Sequence, residues 1–180
     1  MVAAVDLFTE QGYDATTVAQ IAERAGVTRS TFFRHFSDKR ELLVAGQQTL
    51  SRLLADGITE APPGASPLEA VAAGLERASA AMGPANRELG PRLKAAVAAS
   101  TELQERDALK SVGMAAAMTQ ALAGRGVPEP TAHLAGELGV LAFKQGYARW
   151  SEGDRDDDDG LARHALAALA DLRAATASLG

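Results

Sequence analysis

The sequence predicts an all-α protein of about nine helices, and three features carry that expectation. Apolar residues recur at helical spacing, as at Val18, Ile21, Ala22 and Ala25, which places them on one face of a helix. Helix starts are written as Ser or Thr followed three residues later by Glu or Gln, and helix ends as Gly or Pro. No strand-type alternation and no internal repeat occurs. Hydrophobic residues make up 47% of the chain but aromatics only 4%, so the core must form by close packing of helices through small side chains.

Length and composition narrow the class further. A chain of 180 residues suits one domain, or a small head joined to a larger unit. The absence of cysteine excludes disulfides and thiolate chemistry. No apolar run approaches the roughly 18 residues of a membrane span, and the start lacks the basic region of a signal peptide. A cytoplasmic protein with no membrane partner is the expectation.

In chain order, Val2 to Gln11 reads as a helix ended by Gly12, with Tyr13 folding back on it. Glu41 to Glu60 reads as one long helix with Leu43, Leu50, Leu53, Leu54 and Ile58 facing inward. The break Ala61 to Pro67 restarts a helix at Ser66-Pro67 that runs to about Ala81. Pro91 fits the opening of a short helix carrying Leu93 and Val97, because proline is tolerated in a first turn and not inside. Thr101 and Gln104 read as a capping box for a helix reaching Gly124. Pro130 to Glu152 carries Gly136, Gly139 and Gly146, each costing about 1 kcal/mol of helix propensity relative to Ala. Close approach of another backbone would offset that cost. Leu161 to Leu179 forms the last helix.

The stretch Thr16 to Glu41 carries the functional signal. Thr17 and Gln20 make a capping box for a short helix, Gly26 ends it in a left-handed turn, Val27 is apolar enough to plug the angle, and Thr28 caps the next helix. Arg29, Ser30 and Thr31 then fall on the first turn of the second helix, the turn that enters the major groove in helix-turn-helix docking, while Phe32 and Phe36 anchor it. Phe33 counts with them as a packing residue rather than a base-stacking one. Between Thr28 and Arg40 four basic residues stand against the single Asp38, on a chain of net charge −5. Asp38 and Glu41 resemble a third capping box, and Lys39 at that helix start is placed to help the free backbone NH groups hold a phosphate. Double-stranded DNA is the expected partner.

The run Thr17-Val-Ala-Gln-Ile-Ala-Glu-Arg-Ala-Gly26, then Thr28-Arg-Ser-Thr-Phe-Phe-Arg-His-Phe36, then Asp38-Lys39 and Leu42-Leu43 resembles the N-terminal domain of TetR-type transcriptional regulators. The resemblance covers the first quarter to third of the chain. It implies a three-helix DNA-binding domain over residues 1–44, with contacts from Thr17, Thr28, Arg29, Ser30, Thr31, Phe33, Arg34, His35 and Lys39. Where the family usually carries a Tyr that can hydrogen-bond a phosphate, this chain has Phe33. The family's basic arm and extra helical turn would precede Met1. Residues 45–180 are then expected to form a helical domain that binds a small-molecule effector and makes a homodimer. Leu93, Val97, Met114, Met118, Leu122, Gln145, Tyr147 and Trp150 are the expected pocket residues. The dimer would use Gly136, Gly139, Val140 and Phe143 with Leu166, Leu169 and Leu172 of the last helix. The long helix from Glu41 would link effector to DNA.

Other chemistries find no support. No Glu-x-x-His pair occurs for a di-iron bundle, and no phosphate loop or nucleophile elbow is present, so no enzyme and no cofactor is expected. His133 and Glu137 share a helix face but lack further ligands for a metal. The run Asp156 to Asp159 lacks the alternating spacing of a calcium loop. The rival reading is a DNA-binding protein without an effector, whose helical domain only dimerises.

Overall fold

The computed structural model describes residues 2–39, 41–44, 47–153 and 160–179. They form ten helices and no strand: α1 (Val2–Gln11), α2 (Val18–Arg24), α3 (Arg29–His35), α4 (Glu41–Val44), α5 (Gln47–Glu60), α6 (Pro67–Ala80), α7 (Pro84–Ala98), α8 (Thr101–Gly124), α9 (Glu129–Glu152) and α10 (Leu161–Ala177). α4 and α5 fall in the stretch expected as one helix, and their junction lies outside the described residues, as does the acidic run Asp156 to Asp159. None of the described helices is long and apolar enough to cross a membrane.

Local signals fix most boundaries. Ser66 Oγ accepts from the Glu69 NH at 3.4 Å while the Glu69 carboxylate accepts from the Ser66 NH at 2.8 Å. That backbone hydrogen bond holds Glu69 below the usual carboxylate range. Gly12 ends α1 at φ +87°, and Tyr13 turns back to set its ring edge-on to Phe8 at 5.0 Å. The cap of α8 falls one residue earlier than expected: Ser100 accepts from the Leu103 NH at 3.4 Å, and Gln104 donates instead to the Ala98 carbonyl.

Pro91 does not open a helix but lies inside α7. Interior proline costs about 3 kcal/mol, and contacts on both sides of it offset that. Arg87 Nε donates to the Trp150 carbonyl at 2.8 Å, Tyr147 OH to the Asn86 carbonyl at 2.6 Å, and Arg92 pairs with Asp6 at 2.6 Å. Gly90 lets α7 press against α9, since a Cβ there would lie 2.5 Å from Ser151 Cβ.

The apolar residues collect into two clusters. The larger joins α5, α6, α8, α9 and α10; the smaller joins Ala4, Leu7, Phe8, Tyr13, Ile21, Ala22, Phe32 and Leu42 with Ala96 and Leu103 from α7 and α8. Helix α9 runs through the larger cluster, and its glycines meet neighbours in the same chain. A Cβ at Gly136 would lie 2.6 Å from Thr119 Oγ1, one at Gly139 2.8 Å from Met118 Sδ, and one at Gly146 2.5 Å from Ala165 Cα.

Most of the residues expected at a dimer surface face the chain's own core instead. Gly136, Gly139, Val140, Phe143 and Leu169 are buried in the chain's own core, Leu172 packs against it and Leu166 is half-buried. The apolar stripe of α9 is consumed by α6, α8 and α10, so it cannot also face a second copy. What α9 leaves outside is Leu134, 56% exposed, and Leu141, 46% exposed, seven residues apart and therefore on one face.

Candidate nucleic-acid interface

The two short helices and their turn form as their caps dictate. Thr17 Oγ1 accepts from the Gln20 NH at 3.3 Å, and Gln20 Oε1 accepts from the Thr17 NH at 2.8 Å. At the other end of α2, Gly26 takes φ +68°; its NH reaches the Glu23 carbonyl at 3.0 Å and the Val27 NH the Ala22 carbonyl at 2.9 Å. That paired closure satisfies two carbonyls and turns the chain into α3. Thr28 then caps α3, accepting from the Thr31 NH at 3.0 Å. Val27 is 41% exposed, so it does not plug the angle between the helices. Phe32 does that work, buried in the head cluster with Phe36 packed beside it at a ring separation of 5.3 Å.

With Phe32 and Phe36 inward, the outer side of α3 is set. Arg29, Ser30, Phe33, Arg34 and His35 are exposed, and Thr31 is half-buried with its hydroxyl 2.9 Å from that of Thr28. At about 100° per residue, Arg29, Ser30, Phe33 and Arg34 share one side. His35, two residues on from Phe33, points about 200° away. The side available to a groove is therefore narrower than the nine residues expected from the sequence, and Phe33, one of those nine, lies on it rather than facing inward with Phe32 and Phe36.

Lys39 has a different task from the phosphate contact expected of it. Its Nζ donates to the carbonyls of Tyr13 at 2.6 Å and Thr16 at 3.0 Å, reaches that of Asp14 at 3.4 Å, and sits 4.0 Å from the centre of the Tyr13 ring. The turn between α1 and α2 presents carbonyls that its own short helices cannot satisfy, and the ammonium gathers them. The neighbouring box forms with a shift: Asp38 accepts from the Glu41 NH at 3.1 Å, while Glu41 accepts from Ser37 at 2.6 Å. Arg24 braces α2 on α1 through both oxygens of Glu10, at 2.8 and 2.9 Å, and this hydrogen bonding holds Glu10 below the ordinary carboxylate range.

Sequence reasoning missed the seam between head and body. Tyr13 OH donates to Glu102 Oε1 at 3.2 Å at the start of α8, and Arg92 of α7 pairs with Asp6 of α1. No local pattern announces these contacts, because the partners are separated by 89 and 86 positions.

The expected pocket residues do not converge on a cavity. Met114, Met118, Leu122 and Trp150 are packed into the larger core. Val97 packs instead against the head cluster, Leu93 and Gln145 are half-buried, and Tyr147 spends its hydroxyl on Asn86. Burial pushes the Tyr147 phenol above its ordinary range. An open recess of about 460 Å³ lies between α5 and α8, lined by Arg52, Ala55, Ala117, Gln120 and Ala121 among others. No cluster of three metal-ligating side chains occurs among the described residues.

Replacing Lys39 with Met removes the ammonium that the Tyr13 and Thr16 carbonyls share and is expected to lower stability by about 1–3 kcal/mol, read by chemical denaturation. Unchanged stability with weaker binding to every DNA sequence would return Lys39 to the phosphate role.

Residues 1–45 match the sequence profile of the bacterial regulatory proteins, tetR family. Over 68 residues the chain is 40% identical to the HTH-type transcriptional regulator TcmR of Streptomyces glaucescens, covering 38% of this chain and 30% of that protein. Over 61 residues it is 38% identical to the HTH-type transcriptional activator FasR of Mycolicibacterium smegmatis, covering 34% and 28%. The matches thus span less than a third of these relatives' own length. The fold extends the likeness beyond the head. The crystal structure of FadR from Thermus thermophilus, a TetR-family transcriptional repressor in complex with lauroyl-CoA, superposes at a TM-score of 0.51 with 22% identity, covering 93% of this chain and 88% of that one. The head, residues 1–45, thus carries the sequence pattern of the tetR family of bacterial regulatory proteins, and the whole chain has the all-α fold of the Thermus thermophilus protein.

Proposed function

We propose that this protein is a ligand-responsive repressor that binds a palindromic operator as a homodimer and leaves it when a small hydrophobic effector binds. The observation that carries this reading is the exposed side of α3, where Arg29, Ser30, Phe33 and Arg34 stand together while Phe32 and Phe36 fix the helix to the head. Residues 1–44 then act as the reading head and residues 45–180 as the effector and dimerisation domain. On a chain of net charge −5, local positive charge gives affinity for DNA at this face alone.

A dimer supplies two heads for the two halves of a palindrome and multiplies weak half-site affinities. The surface we assign to it centres on Leu134 and Leu141 of α9, with exposed Glu137 and Lys144 between and beyond them. Lys144 is already paired with Asp107 at 2.7 Å, so the apolar pair Leu134 and Leu141 is what a twofold contact would bury.

The lauroyl-CoA held by the Thermus thermophilus protein supports a hydrophobic effector here. Because Met114, Met118 and Leu122 are packed shut, the effector must favour a more open arrangement, since equal affinity for both states would shift nothing. The same closed packing favours the second reading, a DNA-binding dimer without an effector.

Arg29→Ala is expected to cost about 1–3 kcal/mol on a selected operator, as loss of a guanine contact does, and far less on random DNA. Equal losses on both would remove Arg29 from base reading. Leu141→Asp should convert the dimer to a monomer in sedimentation, and a persistent dimer would overturn the assigned surface. Acyl-CoA thioesters and other hydrophobic small molecules are expected to raise the melting temperature and release operator DNA. No shift across the panel would favour the second reading.

A further inference from the structure

We propose that Phe33 is a specificity-determining residue that covers the C5 methyl group of a thymine in each half-site. This rests on the DNA-binding reading of α3 and names one chemical feature that α3 recognises.

Phe33 is 49% exposed, whereas the adjacent Phe32 is buried. By helical phase it lies between Arg29 and Ser30, in the middle of the side that faces a groove. An aromatic ring left this open on an otherwise polar helix face gains most by being covered on binding. The ring is also held in place before DNA arrives: it stands edge-on to Phe32 at 5.5 Å and 84°, and Phe32 in turn packs on Phe36 at 5.3 Å. Docking a braced ring costs little side-chain entropy.

Chemistry then selects the partner. A phenyl ring has no donor or acceptor, so it cannot take the N7, O6, N4 or N6 positions of the base edges, nor bond a phosphate oxygen. The one apolar group on the major-groove edges is the thymine methyl. Arg29, Ser30 and Arg34 around it retain the polar contacts, so the ring adds a methyl-sensing point inside a hydrogen-bonding surface.

The full chain is used to select duplexes from a random-core library, and the recovered duplex is remade with uracil in place of each thymine in turn. That exchange deletes one methyl and leaves pairing intact. We expect one thymine per half-site whose replacement weakens wild-type binding by about fourfold, the scale of one buried carbon. Phe33→Ala should bind the thymine duplex more weakly and be blind to the exchange, while Phe33→Leu keeps the discrimination; melting temperatures establish that both variants fold. Wild-type indifference to uracil at every position, or a Phe33→Ala loss equal on thymine and uracil duplexes, overturns the assignment and leaves DNA binding by α3 standing. Failure to enrich any sequence overturns the DNA-binding reading and this assignment with it.

Discussion

The head cannot close its own core, and much of the molecule follows from that. Its three helices are 10, 7 and 7 residues long, shorter than the roughly 12–15 residues an isolated helix needs to persist in water. Ala96 and Leu103, from helices some 80 positions away, complete the cluster around Phe8, Tyr13, Ile21 and Phe32. Two polar links lie at the same seam, Tyr13 to Glu102 and Asp6 to Arg92. The head's packing, and hence the direction in which α3 points, is therefore coupled to α7 and α8 as well as to the chain that continues from it. In a regulator, a change among the body helices would reach the DNA face by that seam.

Within the head, most of the polar atoms near the turns are committed to holding the geometry. Thr17, Thr28, Gln20 and Asp38 cap helices, and Lys39 collects the carbonyls of the α1–α2 turn. What remains uncommitted is a compact set on one side of α3, the side proposed to meet DNA. This division lets so short a unit be rigid while leaving one face free: rigidity is supplied by residues next to the outer side of α3, and that side itself is left uncommitted.

The helix-turn-helix was legible in the sequence because its determinants are local. A cap, a left-handed glycine and a helical apolar stripe each act within about four residues, and Thr17, Gly26, Thr28 and Phe32 do what their spacing implies. The fold class was legible for the same reason. Features decided by distant partners were not. Pro91 stays in α7 because Arg87, Asn86 and Arg92 are held by α9 and α1; the sequence near Pro91 carries no trace of that. The glycines of α9 did announce a close approach, but not whether the neighbour belonged to the same chain, and it does: α8 at Gly136 and α10 at Gly146. Lys39 was read from its position at a helix start, whereas its long side chain reaches a turn 23 to 26 positions earlier. Phe33 was read both as a DNA contact and as a packing residue, and helical phase, which turns it away from Phe32 and Phe36, decides between the two.

In the reading proposed above, α3 is the surface that meets DNA. Amide hydrogen exchange of the full chain, free and saturated with a selected duplex, tests it most directly. Protection is expected to concentrate from Thr28 to His35 and at the start of α2, with the outer faces of α5 and α8 unchanged. Protection centred on the recess between α5 and α8, with α3 exchanging as in the free protein, would contradict it.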